Sequence, residues 1–519
     1  MSGHPDQSET ARAASSTTGP TVNERMAKGA AWMVLARILD RGIGLASIVI
    51  LARVLAPADF GLVATATAIA AMLELFGAFG FDVALIQNQA ADRRHYDTAW
   101  TFNVAFGACL AIALLIAAVP TARFYADPRL APVIACLALG AFIQGFENVG
   151  TVQFRKELQF GKEFKLVLAK RVGTFVVTVP LALALRSYWA LVAGAIVGRL
   201  LSLAITYWVH EYRPRFSLAA RAELFHFSKW LMATNFLQFL GTRFADLLIG
   251  KFSGVRQLGL FTLSYEIANL PTSELIAPVN RAVYPVYAKR AADLAALKRA
   301  YLAVLGWGAT LVVPAGIGIA TVADLMVPVA LGRKWLEAIP VIAVLSINSI
   351  LVGLKSNSHY VYLALGKPRV AAFLGSVQIS LLLPMIVIGS SRNGALGVAV
   401  AYVMAQVIFS PISVAVLRRV LHVTLWEMLA AVYRPVIASA AMFACVRLLV
   451  NALRVEAADG LALLAPLLLC VAFGILTYAA ALLALWSIAS RPQGPEARML
   501  RLVAEKVLPR IRHAITSGR

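Results

Sequence analysis

Long unbroken apolar runs constrain this chain more than any other feature. GACLAIALLIAAVP (107–120) and PLLLCVAFGILTYAAALLALW (466–486) are two of them. A membrane-spanning helix needs about 20 mostly apolar residues, whereas a barrel strand needs about 10 that alternate. Runs without alternation therefore predict helices, which satisfy their own backbone polar groups inside lipid. The composition agrees: 60% of residues are hydrophobic and 14% charged, with a mean hydropathy of +0.76. The pattern predicts an all-α polytopic membrane protein of about fourteen spans. Its loops are too short to hold a folded domain.

The formal net charge of +22 would suggest nucleic acid in a soluble protein. Here most Lys and Arg fall on one side if both termini are cytoplasmic, which is the positive-inside pattern. Attraction to anionic lipid accounts for the basic clusters, and no nucleic-acid partner is expected. The four cysteines, at 109, 136, 445 and 470, lie in apolar runs and read as small buried residues, not as disulfides or metal ligands. The tail 1–24 is polar, predicted to be disordered, and not a signal peptide.

Several residues recur at a fixed offset. Trp32 and Trp230, Gly61 and Gly259, Ile69 and Ile267, and Arg53 and Lys251 are each 198 apart. A second set, Gly161 with Gly366 and Ala190 with Ala395, is 205 apart. The inference is two homologous lobes of six spans, 25–225 and 226–425, related by an axis along the membrane normal. Spans in 426–490 lie outside the repeat, and 491–519 form a basic amphipathic cytoplasmic tail expected to lie on the anionic leaflet. Transporters built from such repeats bind substrate between the halves and alternate access.

Charges inside the spans are the candidate site. In WMVLARILDRG (32–42), Arg37 lies about 10 Å into the span and Arg41 about 16 Å, near the midplane. A charge there costs roughly 3 kcal/mol and faces a partner or a wet cavity. Asp40 is three residues from Arg37 and can pair with it, which leaves Arg41 positive. Either the charges are a structural pair plus a snorkelling side chain, or they grip an anion, since guanidinium matches phosphate oxygens in a planar fork. Arg243, Arg281 and Lys355 are further candidate substrate contacts. Arg281 also fits a topology anchor, and His359 is a weaker candidate. Asp40 and Asp246 are candidate structural partners, while Glu74 and Glu266, flanked by apolar residues, could take a coupling ion. Pro271, Pro278 and Pro285, seven apart, predict bends in span eight.

The stretches ILARVLAPADFGLVATATAIA (50–70), LFGAFGFDVALIQ (75–87), DLLIGKFSGVRQLGLFTLSYEIANLP (246–271) and IAPVNRAVYPVYAKRAADLAALKRAY (276–301) carry a family likeness. They resemble the polysaccharide-exporter branch of the multidrug/oligosaccharidyl-lipid/polysaccharide superfamily, which includes Wzx-type flippases. The likeness runs from about residue 25 to 425 and departs mildly at Phe261, where the family usually has Tyr. It implies two six-helix lobes around a central cavity, plus two C-terminal helices. It implies translocation of an undecaprenyl-pyrophosphate-linked oligosaccharide across the bacterial inner membrane, beside a polymerase and a chain-length regulator. Under it, spans one, two, seven and eight line the cavity. Phosphate-loop, HExxH, GxSxG and CxxC signatures are absent from the sequence, so no catalytic function, metal or cofactor is expected. A multidrug exporter and a membrane polymerase or ligase are the alternatives. The first would want an acidic, aromatic cavity, and the second a large periplasmic loop.

Overall fold

The computed structural model describes residues 22–75, 81–88, 90–157, 159–221, 223, 239–240, 243–453 and 460–489. Trp230, the 225/226 boundary and the basic tail lie outside them, as does all but the last part of the N-terminal tail. The described elements are helical. They are α1 (Val22–Val54), α2 (Pro57–Glu74), α3 (Phe81–Gln87), α4 (Arg93–Phe124), α5 (Leu130–Gly145), α6 (Val152–Lys156), α7 (Phe160–Leu185) and α8 (Trp189–Val209). Then follow α9 (Phe244–Ala268), α10 (Ala277–Arg290), α11 (Leu294–Ala330), α12 (Ala338–Ala364), α13 (Pro368–Leu421), α14 (Leu425–Ala452) and α15 (Leu464–Ile488).

Eight of these are long and apolar enough to cross a membrane, and the bent pair α5–α6 makes a ninth. The chain is thus a multi-pass membrane protein. One of the eight, α13, counts twice. Its 54 residues would run about 80 Å if straight, far beyond a bilayer. Asn393 and Gly394 break it, Gly394 with a φ of +53° that side chains rarely adopt. Gln257 fixes the turn: its Oε1 accepts the Ala395 N–H at 2.9 Å. Gly254, with φ +82°, breaks α9 in the same way. The prolines expected to bend span eight fall at helix junctions and inside a helix. Pro271 opens a π-helical turn, Pro271–Ile276, Pro278 starts α10, and Pro285 sits within it. A wide turn of this kind frees backbone groups, and here Thr272 donates its hydroxyl to Ser349 O at 2.9 Å.

The chain forms two compact units. The first holds residues 1–51, 73–122 and 128–236. Within it α7 and α8 approach through small residues: a Cβ on Gly194 would lie 2.1 Å from Thr178 Oγ1, and one on Gly198 2.8 Å from Thr174 Oγ1. This is a Gly-x-x-x-Gly contact, which lets backbones close where lipid supplies no hydrophobic drive. After α8 the extended segment 210–218 is buckled to the start of α4. Asp97 accepts the Arg215 N–H at 2.9 Å, and Thr101 accepts that of Ser217 at 2.9 Å. Asn148 donates to Tyr212 O at 2.7 Å. Just before α4, hydrogen bonds from His95 and Arg94 hold the Asp92 carboxyl down to about 2. That contribution is complete above about pH 4 and lost as pH falls towards 2.

The second unit holds residues 52–72, 123–127 and 237–519. In it α11 packs along α12 and α14, α14 along α15, and α9 along α13. Its core joins Tyr287, Tyr301, Tyr362, Leu374 and Phe409, and a second cluster joins Leu325, Met442, Val446 and Cys470. All four cysteines are free thiols, as expected, but only Cys470 is buried; Cys109 is exposed, because an apolar run presents half of its residues outward. The Gly194→Leu variant should lose several degrees of thermal stability in detergent micelles, with Gly42→Ala, in open space, as the unaffected control.

Candidate functional site

Arg37, Asp40 and Arg41 are half-buried on α1. Asp40 meets Arg171 of α7, Nε to Oδ1 3.1 Å, a partner on another helix that helical spacing does not show. Gly44 makes room for it: a Cβ there would stand 2.3 Å from the Arg171 guanidinium. Trp32 packs on Phe164 at 4.8 Å in the same α1–α7 contact.

The first unit also holds a polar cavity of about 340 Å³, lined by Glu74, Asp82, Asn103, Gln144 and Glu147. Each carboxylate meets a cation. Arg199 lies 4.0 Å from Glu74, Arg155 3.9 Å from Asp82, and Lys170 3.3 Å from Glu147, which also accepts from Ser202 at 2.6 Å. Glu74 therefore lies beside an arginine, although its sequence neighbours are apolar. Asn103, Gln144 and Glu147 carried no signal in the sequence beyond being polar within apolar runs.

In the second unit Arg243 reaches Asp246 at 3.7 Å, so this Arg-x-x-Asp pattern pairs locally. Asp246 is buried and Arg243 exposed. Glu266 and Arg281 are exposed, at separate places on α9 and α10. Lys355 is half-buried on α12, its ammonium held by Gln406 and by Ser410 Oγ at 3.0 Å, beneath the Phe409 ring at 4.9 Å. The sequence candidates thus fall in several places, with Asp40, Glu74 and Asp246 each beside an arginine.

One arrangement joins residues that the repeat had singled out. A Cβ on Gly61 would stand 1.6 Å from Val255 O, and one on Gly259 would stand 1.8 Å from Pro57 O. Pro57 and Val255 are themselves 198 apart, so the contact is reciprocal. The flanking cations behave alike. Arg53 donates to Val329 O and, at 3.3 Å, to Ala330 O, the last carbonyls of α11. Lys251 donates to Phe124 O, the last carbonyl of α4, over the Phe124 ring at 4.0 Å. Aromatic residues complete the pattern: Trp335 Nε1 donates to Ala52 O at 2.8 Å, and Tyr125 Oη donates to Leu247 O at 3.1 Å. Burial pushes the Tyr125 hydroxyl up to about 12, so it remains a donor at physiological pH. Cations at helix C-termini satisfy orphan carbonyls and the helix dipole together. The repeat offset signalled these equivalences; that the equivalent residues meet was not readable.

Helical spans, reciprocal contacts between residues 198 apart and charge set into apolar helices characterise a polytopic membrane protein. A family signature described as polysaccharide biosynthesis protein matches residues 50–340, more than half of the chain, and the protein belongs to that family. It is 26% identical to the lipopolysaccharide biosynthesis protein WzxC of Escherichia coli (strain K12), over 75% of this chain and 80% of that one. It is 28% identical to the teichuronic acid biosynthesis protein TuaB of Bacillus subtilis (strain 168), over 70% and 76%. It is 25% identical to the succinoglycan biosynthesis transport protein ExoT of Rhizobium meliloti (strain 1021), over 63% and 67%. Its fold matches the lipid II flippase MurJ in an inward closed conformation, with a TM-score of 0.66 at 12% identity over 88% of this chain and 99% of that one. It also matches an inward-facing multidrug resistance MATE family transporter, with a TM-score of 0.58 at 15% identity over 73% and 94%. The two structural neighbours are named as a flippase and a transporter, and ExoT as a transport protein.

A double-mutant cycle tests the reciprocal caps. Arg53→Ala and Lys251→Ala should each cost about 0.3–1 kcal/mol. If the two caps act through the shared Gly61–Gly259 contact, thermal unfolding of the double variant will deviate from additivity. Strict additivity would show that the caps act separately.

Proposed function

We propose that this protein is a flippase for lipid-linked oligosaccharide. In this reading it carries an undecaprenyl-pyrophosphate-linked repeat unit from the inner to the outer leaflet of the bacterial inner membrane. It does so by alternating access, for exopolysaccharide or lipopolysaccharide synthesis. The observation that carries the reading is the family match over residues 50–340, and the names of the relatives point the same way. Half-buried Arg37 and Arg41 on α1 are of the sign and type that suit a pyrophosphate. Arg243, Arg281 and Lys355 are further candidate contacts, and Glu74 and Glu266 are candidate ion-coupling groups. Both termini are taken as cytoplasmic, because that orientation puts the basic clusters inside. A polymerase and a chain-length regulator are the partners this chemistry calls for, since a flipped unit must be joined to others.

Deletion of the gene is expected to abolish a surface polysaccharide and to build up lipid-linked units in the inner leaflet. Normal polysaccharide with altered resistance to cationic dyes would instead make the protein a multidrug exporter. Arg41→Ala should lower export at least tenfold at an unchanged membrane level of protein, measured as surface polysaccharide per cell. Unchanged export would return Arg41 to a structural role. If a Glu266→Gln variant keeps the wild-type dependence on the proton gradient, Glu266 is not the coupling group.

A further inference from the structure

A second polar cavity, of about 180 Å³, lies within the second unit between α12 and both halves of α13. At about 30 Å³ per water it has room for one phosphate-sized group and a few waters. Its lining is unlike that of the cavity in the first unit. Lys355, His359, Tyr362, Gln378 and Gln406 supply the polar groups, and no Asp or Glu lines it among the described residues.

Lys355 gives its N–H groups to neutral acceptors: Gln406 O at 3.3 Å, Gln406 Oε1, and Ser410 Oγ at 3.0 Å. These satisfy hydrogen bonds without cancelling charge. No carboxylate pairs with Lys355 among the described residues. One turn further along α12, His359 faces the same space. Tyr362 is 2% exposed, and its hydroxyl has no hydrogen-bond partner among the described residues. A buried hydroxyl left unpaired and a cation left without a counter-charge both cost free energy. One ligand relieves both: an anion with several acceptor oxygens, taking the Tyr362 hydroxyl, the Gln378 amide from the facing helix, and the field of Lys355.

We propose that this cleft binds a small oxyanion, a phosphate or carboxylate group. The assignment rests on the cavity, the uncompensated ammonium and the orphaned hydroxyl, and does not depend on the flippase reading. The phosphate could be free in solution or borne by a lipid, and the same chemistry would recognise either.

The test is binding of inorganic phosphate to the purified full-length protein in neutral detergent, by calorimetry at constant ionic strength. A second arm measures thermal stabilisation in nanodiscs of neutral lipid with and without phosphatidic acid. Saturable phosphate binding that falls at least tenfold in Lys355→Gln and about fivefold in Tyr362→Phe supports a site for the free ion. Stabilisation by phosphatidic acid alone, lost in Lys355→Gln, supports a lipid-borne phosphate. Tyr362→Phe removes only an oxygen, so it should fold with wild-type thermal stability and keeps the test valid if Lys355→Gln proves unstable. No response in either arm, equal binding by both variants, or an equal response to chloride would overturn the proposal.

Discussion

The contact between Gly61 and Gly259 brings two backbones closer than any side chain would permit. Neither glycine has a free choice of replacement, because the nearest obstacle to each is a carbonyl, which cannot rotate away. Around this point the second unit arranges its caps. Arg53 closes the end of α11 and Lys251 closes the end of α4, so two long helices finish on a cation instead of on exposed carbonyls. In a membrane protein this matters more than in water, since helix ends near the bilayer have few other partners. The participants share the 198-residue offset, so one kind of contact occurs twice.

The two polar cavities solve the problem of intramembrane charge in different ways. In the first unit the carboxylates at 74, 82 and 147 are each matched by a basic side chain from another helix. That arrangement holds helices together and leaves little net charge. In the second unit Lys355 is solvated by amide and hydroxyl oxygens, and its positive charge persists. The first pattern is that of interhelical cross-bracing. The second is that of a site waiting for a counter-ion.

Much of this was legible in the sequence. Unbroken apolar runs fix helices, since no other open structure survives in lipid. The repeat offset picked out Gly61, Gly259, Arg53 and Lys251, and the seven-residue proline spacing marked the π-helical turn and the start of α10. What periodicity cannot supply is the identity of partners on other helices. Asp40 also meets Arg171, more than a hundred residues away. The cavity lined by Lys355 needs Gln378 and Gln406 from two arms of a hairpin, joined at a Gly394 turn that a hydropathy profile passes over. Exposure was also hidden: Cys109 and Cys470 sit in equally apolar runs yet face opposite environments.

The caps also set an order of events during synthesis. Arg53 and its acceptor at Ala330 are 277 residues apart. At about 5–20 residues per second, roughly 15–55 s pass between translation of the first and of the second. For that interval Arg53 lacks its acceptors at the end of α11, and Ala52 O lacks the Trp335 indole. Truncation within α11, before Val329, would leave the early helices made and both the Arg53 acceptors and Trp335 missing.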